Sequence, residues 1–488
     1  MKVLNRKNTG LTQKLPLKII QFGEGNFLRG FADYIIDELN EKANFNAGVV
    51  VVKPRKGNLD QLKKQEGLYH LFTRGVEKGE VIDKKQLISC IQKSVVPHTD
   101  YLEYLALAKE EQLQFLLSNT TEAGIAFDEN DTLKGYPHRS FPAKVTALLY
   151  ERFKYFNGAK DKGLVIIPCE LINNNADVLK EIILKYADLW SLGADFVKWI
   201  NSSTSFHNTL VDRIVPGYPS NDIKDYEQQL DFEDQLIVSS EVFLLWVIEG
   251  DEQLKKKIPF DKIKEDVQIV EDLQPFRTRK VRILNGAHTV MVPFSILYGN
   301  ETVTETIDNN FTGNFVRQAV FEEINESLDL PKEELAAFAE AVFDRFRNPF
   351  IKHQLASIAL NSISKFKVRV LPSLLDYELK CNRLPLHLTF SLACLIRFYK
   401  GEFKGNELPV NDEETILEEM KKIWKTTDYE KIAQEVLRNE LFWGQDLTKI
   451  GDLRAKIALA LQLIDSEGIE KGFKKFVANF TKESEELI

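Results

Sequence analysis

The sequence predicts a chain in two parts, an N-terminal α/β part with a parallel sheet and a C-terminal part built of helices. Short apolar runs of strand length alternate with helical segments over the first 280 residues. One of these runs leads directly into a glycine turn and a helical pattern. Beyond Lys280, strand patterns nearly disappear and apolar residues keep helical spacing. We therefore place the first domain at residues 1–280 and the second at residues 281–488.

The composition is that of a globular protein without a membrane span. Apolar residues make up 44% of the 488 residues and charged residues 28%. The net charge of −9 argues against nucleic acid or an anionic membrane as the main partner. A run of about 18 apolar residues and a signal peptide are both absent, so we expect a cytoplasmic protein. The 4 cysteines and 7 histidines form no pair with metal-ligand spacing, so we expect no bound metal.

The first predicted elements form a nucleotide-binding turn. Leu17–Phe22 reads as a buried strand, a glycine turn follows, and Phe31–Leu39 has helical spacing. Strand, glycine turn and helix in this order are typical of a Rossmann-like dinucleotide-binding domain. Gly23 permits the tight turn, and Gly25 lets the backbone approach a pyrophosphate. The third glycine, Gly30, comes late and gives G-x-G-x-x-x-x-G, so the turn alone is a weak signal.

The second strand, Gly48–Val52, leaves the choice of cofactor open. An NAD enzyme usually ends this strand on an acid that holds the ribose 2′-hydroxyl. Here Lys53, Pro54, Arg55 and Lys56 follow instead. These residues could accommodate the 2′-phosphate of NADP, or they could form a solvated loop.

Two further apolar runs, Leu113–Leu117 and Leu164–Pro168, are predicted to be buried strands. Ser118–Gly124 follows the first run and Cys169–Ala176 follows the second. Hydroxyl and amide side chains at the carboxyl ends of strands lie where doubly wound sheets bind ligands, although they also cap turns. The residues that we assign to cofactor binding are Ile19, Ile20, Gln21, Phe22, Gly23, Glu24, Gly25, Asn26, Phe27, Leu28, Arg29, Gly30, Thr120 and Thr121.

The remaining elements of the first part follow from the same patterns. Pro142–Tyr155 is predicted to be an amphipathic helix, and Phe196–Ile200 and Val267–Val270 are predicted to be strands. In the second part, helical periodicity covers eight segments. They are residues 311–326, 332–347, 353–366, 386–399, 413–424, 429–440, 453–466 and 469–484.

The stretch Lys280–His288 carries a lysine, an asparagine and a histidine within nine residues. As a strand it would put Asn285 on the face opposite the other two, whereas as a helix it gathers all three within roughly 140°. We prefer the helix, and apolar neighbours on nearly every side predict that it is buried. Burial lowers the pKa of a lysine from about 10.4 towards the range near pH 7 to 8 that suits a general base. The alternative is a lysine that points to water and a histidine of the core.

A glycine inside this predicted helix also needs a reason. Gly286 costs about 1 kcal/mol relative to alanine in a helix interior. We expect a ligand or another backbone to approach it closely.

Several runs of this sequence resemble the long-chain polyol dehydrogenase family, the mannitol dehydrogenase group. They occur in the order that the family has and are spread over nearly the whole chain. The similar runs are Gly23–Arg29, Val211–Pro216, Lys280–His288, Arg345–Pro349 and Lys365–Pro372. Three others, Glu66–Tyr69, Ser118–Ile125 and Ser140–Lys144, are similar to a branch that acts on hexuronates.

The resemblance implies hydride transfer with NAD and without a metal. Lys280 matches the general base of the family. Asn285 and Asn175 would donate hydrogen bonds to the developing alkoxide, and His288 would orient the substrate hydroxyl. The two asparagines that precede Asn175 compete for its position. Fixed amide donors make chemical sense here because the alkoxide charge appears only as the hydroxyl loses its proton.

The sequence departs from polyol-oxidising members at two positions. Arg277 stands where they carry a glutamate, and Asn361 stands where they carry an aspartate ahead of Lys365. Both changes remove negative charge, so we expect a substrate with a carboxylate that pairs with Lys365 or Arg277. The leading hypothesis is an NAD-dependent reductase of a keto-uronate. The alternatives are a dehydrogenase of a neutral hexitol or a hexitol phosphate, and a nucleotide-binding sensor without turnover.

Overall fold

The computed structural model describes residues 1–220 and 222–485, and side chains within these ranges up to residue 480. The chain divides into two compact units. Met1–Arg74 and Val81–Gln274 form the first unit, and Gly75–Glu80 with the chain from Pro275 onward form the second. The boundary between the units therefore lies between Gln274 and Pro275, whereas the sequence analysis placed it after residue 280.

The first unit holds the sheets and the helices that cover them. Its strands are β1 (Lys2–Val3), β2 (Leu17–Phe22), β3 (Gly48–Val52), β4 (Tyr69–Glu77), β5 (Glu80–Ile88), β6 (Ile91–Val95), β7 (Phe115–Ser118), β8 (Val165–Pro168), β9 (Ser205–Phe206), β10 (Thr209–Asp212), β11 (Phe232–Glu233), β12 (Val238–Ser240), β13 (Leu245–Glu249) and β14 (Asp266–Val270). Its helices are α1 (Arg6–Thr9), α2 (Asn26–Arg29), α3 (Ala32–Ala43), α4 (Asp60–Lys64), α5 (Tyr101–Ala106), α6 (Phe141–Tyr155), α7 (Asn175–Leu189), α8 (Ala194–Ser203), α9 (Ile223–Glu227) and α10 (Glu252–Lys257).

The main sheet is parallel and doubly wound. Six strands follow the order β6-β3-β2-β7-β8-β9, with β2 paired to both β3 and β7. Consecutive strands therefore run to one side of β2 and then, from β7, to the other. A crevice opens where the strand order reverses, beyond the carboxyl ends of β2 and β7, and ligands of doubly wound sheets bind there. The predicted Rossmann-like domain is confirmed.

Gly23 lies at this reversal point, where the backbone leaves no room for a side chain. Its φ is +125°, and a methyl group on its Cα would lie 2.9 Å from the carbonyl oxygen of Asn119. Gly30 allows a second close approach, since a methyl group there would lie 2.8 Å from Val215. The late third glycine thus serves the close packing that the usual G-x-G-x-x-G glycine provides.

A buried polar cluster supports the glycine turn from below. Gln21 donates from Nε2 to the carbonyl oxygen of Gly23 at 3.1 Å and lies 3.4 Å from Asp33. Asp33 has no exposed surface, and its burial raises the pKa of the carboxyl from 3.8 to about 7. The turn therefore rests on a carboxyl group whose ionisation is strongly opposed by its surroundings.

One predicted strand of the first unit is wrong. Phe196–Ile200 lies inside α8 and not in a strand. Phe196, Trp199 and Ile200 are the buried members of this segment, so the burial follows the i, i+3, i+4 spacing of a helix. A five-residue window was too short to distinguish this period from that of a buried strand.

The described part of the second unit from Pro275 onward is helical apart from a short hairpin, β15 (Glu402–Phe403) with β16 (Asn406–Glu407), while Gly75–Glu80 contributes the end of β4 and the first residue of β5. Its α-helices are α11 (Gln274–Arg279, whose first residue belongs to the first unit), α12 (Gly286–Tyr298), α13 (Val303–Asp308), α14 (Asn310–Gln318), α15 (Asn325–Ser327), α16 (Lys332–Phe346), α17 (Leu355–Ile358), α18 (Ser362–Arg369), α19 (Leu371–Cys381), α20 (Leu386–Phe398), α21 (Glu414–Ile423), α22 (Tyr429–Leu437), α23 (Glu440–Trp443), α24 (Leu453–Glu467) and α25 (Ile469–Glu485). Two π-helical segments, Lys280–Asn285 and Ala319–Ile324, connect α11 to α12 and α14 to α15. The helical second domain is confirmed.

The predicted helix over residues 353–366 is broken in the structure. It consists of α17 and α18, and Asn361 between them has a φ of +53°. Asparagine adopts this left-handed conformation more readily than most residues, which explains the break. Among the described residues, no helix has both the length and the apolar character needed to cross a bilayer.

We expect Asp33→Asn to stabilise the protein in a pH-dependent way. The unfolded carboxyl loses its proton near pH 3.8 and the folded one only near pH 7, so wild-type stability falls as pH rises through this window. Asparagine does not titrate. The stability gained by the variant should therefore grow from pH 4 to pH 7, reach at most about 4 kcal/mol, and then level off.

Thermal unfolding of both proteins at pH 5, 6, 7 and 8 measures this difference. Asp231→Asn, at an exposed position of the same unit, is the matched control. A difference in Tm that stays constant across the four pH values would contradict the prediction.

Candidate functional site

The candidate catalytic residues of the second unit lie on one continuous helical stretch that contains a π turn. Lys280–Asn285 is π-helical, and the N–H of Gly286 donates to the carbonyl oxygen of Val281, five residues earlier. Because a π turn closes over five residues, Asn285 lies one turn beyond Lys280, whereas a regular α-helix would rotate it away by about 140°. His288 follows three residues later in α12, so the three side chains share one face.

Arg282 anchors the π turn from the side away from this face. Its guanidinium donates to Ser373 Oγ at 2.6 Å, to Asp376 Oδ2 at 2.7 Å and to Ser327 Oγ at 3.2 Å. Ser373 and Asp376 belong to α19, and Ser327 ends α15. A buried arginine with three partners on two helices holds the register of the turn.

Gly286 follows the π turn at a point of close backbone approach, as predicted. A methyl group on its Cα would lie 3.3 Å from the carbonyl oxygen of Arg369 and 3.6 Å from Ile324. The end of α18 therefore packs directly on this helix. As a result, the side chains of α18 are held near the candidate catalytic residues.

His288 is the centre of a group of basic side chains. Burial lowers the pKa of its imidazole well below 6.5, and the charges of His353, Arg345, Arg369 and Lys365 lower it further. Its ring packs on Phe346 at 4.5 Å and on His353 at 5.1 Å between ring centroids. The imidazole is therefore neutral at pH 7. Its Nε2 is buried and has no hydrogen-bond partner among the described residues, which suits an atom that binds a substrate hydroxyl.

The basic group consists of Arg345, His353, Lys365 and Arg369, from three separate segments. Arg345 lies near the end of α16, His353 lies before α17, and the other two lie on α18. Burial is the main cause of the lowered pKa of Lys365, of Arg369 and of His353. A set of partly buried bases of this kind favours the binding of an anion, because an anion offsets both the desolvation and the mutual repulsion.

The structure brings one of the two predicted carboxylate-binding residues into this group. Lys365 belongs to it, and its ammonium donates one hydrogen bond to the carbonyl oxygen of Ile358 at 2.8 Å, which leaves two further donors. Arg277 is partly exposed on α11 and is not among the bases that act on His288. Its assignment to the substrate stays a prediction.

The first unit has a cavity at the carboxyl ends of its strands. It has a volume of about 670 Å³ and is lined by Pro54 and Arg55, by residues between Thr120 and Asn130, and by Arg139–Phe141. Its size is within the range of small-molecule sites. Because these loops follow β3 and β7, the cavity lies where the adenosine half of a dinucleotide binds in doubly wound sheets.

Glu170 connects the loops beside this cavity. Its carboxylate accepts hydrogen bonds from Ser118 Oγ and from both the backbone N–H and Oγ1 of Thr120, each at 2.9 Å. Burial raises the pKa of Glu170, and these donors act against the rise. The predicted cofactor residue Thr120 is thereby fixed at the cavity wall, while Thr121 is exposed and accepts from Arg55 at 3.3 Å.

The predicted cofactor segment Ile19–Gly30 is exposed only at its turn. Gly25 is exposed, and Glu24, Asn26 and Phe27 are partly buried. A methyl group on Gly25 would meet no atom within 4 Å, so the backbone there is open to a phosphate. The other residues of the segment are buried and support the turn; Arg29, for example, donates to Leu236 and Asn26. The residues present thus fit a dinucleotide.

Asn175 is the buried member of its asparagine run. Its Nδ2 donates to the carbonyl oxygens of Pro168 and Glu170 at 3.0 and 3.1 Å, and its Oδ1 accepts from the N–H of Thr209 at 3.0 Å. Asn173 and Asn174 are exposed. The Asn175 amide therefore joins β8 to β10, and its assignment as a donor to the substrate stays a prediction.

Sequence reasoning missed Glu170, Arg345, His353 and Arg369 as members of the two sites. Glu170 has a local signal, since it is an acid directly after a buried strand. Arg345 and Arg369 were noted only as parts of longer similar runs, and His353 has no local signal. Among the described residues, no three histidine, cysteine or acidic side chains are grouped to hold a metal ion.

Comparison with known proteins gives matches over nearly the whole chain. The model of the mannitol dehydrogenase Rossmann domain matches residues 17–262, and that of the mannitol dehydrogenase C-terminal domain matches residues 272–465. An altronate oxidoreductase of Yersinia enterocolitica is 43% identical over 99% of this chain and 100% of its own. One from Bacteroides thetaiotaomicron is 44% identical over 96% of this chain and 98% of its own.

Two solved structures show the same fold at 20% sequence identity. A substrate-free D-sorbitol dehydrogenase has a TM-score of 0.80 and covers 96% of this chain and 100% of its own. The ternary complex of Pseudomonas fluorescens mannitol 2-dehydrogenase with NAD and D-mannitol has a TM-score of 0.65 and covers 98% of this chain and 100% of its own.

We expect Asn175→Ala to destabilise the first unit by about 1 to 3 kcal/mol, since it removes the acceptor of the buried N–H of Thr209 and one donor each from the carbonyl oxygens of Pro168 and Glu170. Asn173→Ala, at an exposed position of the same run, should change stability by less than about 0.5 kcal/mol. Thermal unfolding of both variants checks this. Equal effects of the two substitutions would show that the Asn175 amide does not join the strands.

Proposed function

Because this chain belongs to the mannitol dehydrogenase family, we propose that it is an NAD-dependent oxidoreductase that interconverts D-tagaturonate and D-altronate. The relatives named altronate oxidoreductase, at 43 to 44% identity, support this substrate. The reaction is a step of hexuronate catabolism. The observation that carries the proposal is the basic group around His288, because it suits the carboxylate that distinguishes these sugar acids from neutral hexitols.

Each group of the second-unit site has a role in the reaction. Bound NADH supplies the hydride. During reduction, Lys280 Nζ delivers a proton to the former carbonyl oxygen, and during oxidation it removes that proton. Asn285 donates a hydrogen bond to the same oxygen as its negative charge develops. The neutral His288 binds a substrate hydroxyl through Nε2.

The first unit would hold the cofactor. The turn at Gly25 leaves its backbone open to the pyrophosphate, and the cavity beside Arg55 and Thr120 suits the adenosine half. Glu170 keeps Thr120 in place through buried hydrogen bonds. In a mannitol 2-dehydrogenase of the same fold, NAD is the bound cofactor.

A substrate panel tests the proposal directly. NAD reduction should be measured with D-altronate, D-mannonate, D-mannitol and D-mannitol 1-phosphate, and D-altronate should give the highest kcat/KM. Preference for D-mannonate would move the protein to the isomeric uronate. Preference for mannitol or its phosphate would overturn the proposal, and any turnover would exclude a sensor without activity.

Lys280→Ala should lower kcat by about 10²- to 10⁴-fold, the usual contribution of general acid–base catalysis. The dissociation constant of NADH should stay within about twofold, and added primary amines should restore part of the activity. Steady-state kinetics and cofactor fluorescence measure these effects. Lys352→Ala, at an exposed position in the same unit, is the control and should behave as wild type. A Lys280 variant within about threefold of wild type, well short of the general-base range, would remove it from the mechanism.

Arg369→Met and Lys365→Met should impair reduction of D-tagaturonate by about 10- to 100-fold more than reduction of D-fructose. Removing one partner of a desolvated charge pair leaves the substrate carboxylate unpaired, whereas the neutral ketose loses no such pair. The measured quantity is the ratio of the two changes in kcat/KM. Arg347→Met, at the exposed position beside α16, is the matched control. A ratio near one for both variants would leave carboxylate recognition to other residues.

A further inference from the structure

The end of the second strand presents a feature that the proposed chemistry does not use. Lys53 follows β3 directly, at the position where an NAD enzyme usually has the acid for the ribose 2′-hydroxyl. In the structure, Lys53 forms an ion pair with Glu24, the residue between the two glycines of the turn. The acid and the base at this position therefore come from two different strand ends.

The backbone holds these two residues side by side. The N–H of Gly23 donates to the carbonyl oxygen of Val52 at 3.0 Å, and the N–H of Lys53 donates to that of Val95 at 3.0 Å. The ends of β2 and β3 are thus joined one residue away from both charged side chains. This places the pair beyond the carboxyl ends of β2 and β3, with Glu24 next in the chain to the open backbone of Gly25.

The Lys53 side chain is confined by its own loop. Gly57 has a φ of +141°, and a methyl group on its Cα would lie 2.5 Å from Lys53 Cε. The loop therefore folds back over the lysine stem and directs its ammonium towards Glu24. The side chains of Lys53 and Glu24 are only 17% and 29% exposed, so solvent screens their interaction less than that of a surface pair.

The pairing leaves one carboxylate oxygen of Glu24 available. Lys53 contacts Oε1, and no described residue donates a hydrogen bond to Oε2. An ionised carboxylate accepts hydrogen bonds on both oxygens. Glu24 can therefore accept from a ribose hydroxyl while it remains paired, whereas the charge of Lys53 is already matched.

We propose that Glu24 selects NAD(H) over NADP(H), and that Lys53 is its positioning residue. The Glu24 carboxylate accepts a hydrogen bond from the 2′-hydroxyl of the adenosine ribose and repels a 2′-phosphate. The inference rests on the proposed function, because it assumes that the first unit binds a nicotinamide dinucleotide. It explains how a loop with three bases serves a cofactor without a phosphate on the ribose.

The test measures dissociation constants of NADH and NADPH by cofactor fluorescence, in the absence of any sugar. Wild type should bind NADH at least about tenfold more tightly than NADPH. Glu24→Gln removes the negative charge and frees Lys53, so it should weaken NADH binding and strengthen NADPH binding. The ratio of the two constants should shift by at least about tenfold, and the gain for NADPH should weaken at high salt because it is electrostatic.

A second variant keeps the inference testable if Glu24→Gln is poorly folded. Lys53→Met leaves the Glu24 charge unmatched, so it should weaken NADPH binding further and retain the preference for NADH. Lys56→Gln, at an exposed position of the same loop that does not line the cavity, is the matched control for loss of a base without change to the pair. When it is combined with Glu24→Gln, the shift in the ratio of the NADH and NADPH dissociation constants should be the same as for Glu24→Gln alone.

The outcomes separate the alternatives. A Glu24→Gln ratio within twofold of wild type would overturn the inference, since a purely structural pair changes both affinities alike. Wild-type preference for NADPH, lost in Lys53→Met, would also overturn it, because Lys53 would then read the phosphate. Failure of the wild type to bind either dinucleotide would contradict the proposed function itself.

Discussion

The register of the π turn between Lys280 and Asn285 determines which face of the second unit presents the candidate catalytic residues. It depends on the buried guanidinium of Arg282, which holds Ser373 and Asp376 on α19 and Ser327 at the end of α15. A regular α-helix would need one residue fewer in this turn and would rotate Asn285 away from Lys280. The extra residue has no local cause in the sequence, so the anchor on neighbouring helices maintains it. Lys280 and Asn285, which we propose as acid–base residue and amide donor, remain on one face for this reason.

The charges around this face favour the binding of an anion. Arg345, Lys365 and Arg369 all act on the buried imidazole of His288 in the same direction. Like charges held close together in a partly desolvated place oppose one another, and an anion relieves that opposition. Burial and, after it, these same bases lower the pKa of the His288 imidazole well below 6.5, so it adds no fourth fixed cation. The preference for an anion and the neutral state of His288 therefore depend on the same group of partly buried bases.

In the first unit, buried carboxyl groups perform a different task. Asp33 lies below the glycine turn, and Glu170 fixes the loop after β7 through three donors. Burial raises the pKa of both groups, which shows that the fold tolerates the desolvation of acids where backbone positions need to be fixed. Asp33 and Glu170 are buried, so they fix the backbone of the unit and do not present their charge at its surface. The partly exposed acid of the turn is Glu24, and its pairing with Lys53 determines the charge that a ligand meets there.

The sequence by itself determined the local elements of this protein. Apolar runs of strand length, the glycines at positions 23 and 25, and the helical period after Lys280 are all contained within short windows. They predicted the Rossmann-like sheet, the turn and the helical second domain, because periodicity and backbone freedom are local properties. They failed for Phe196–Ile200, where five residues do not distinguish a buried strand from one face of a helix.

Only the tertiary structure decided which of these residues act together. The basic group draws on α16, the loop before α17, and α18, and the pair of Lys53 and Glu24 joins two strand ends that are 29 positions apart in the chain. The π turn depends on Arg282 reaching α19, more than 90 residues further along. Asn175 was distinguished from its two neighbours by burial against β10. Such features arise from contacts between distant segments, and no pattern within a single segment encodes them.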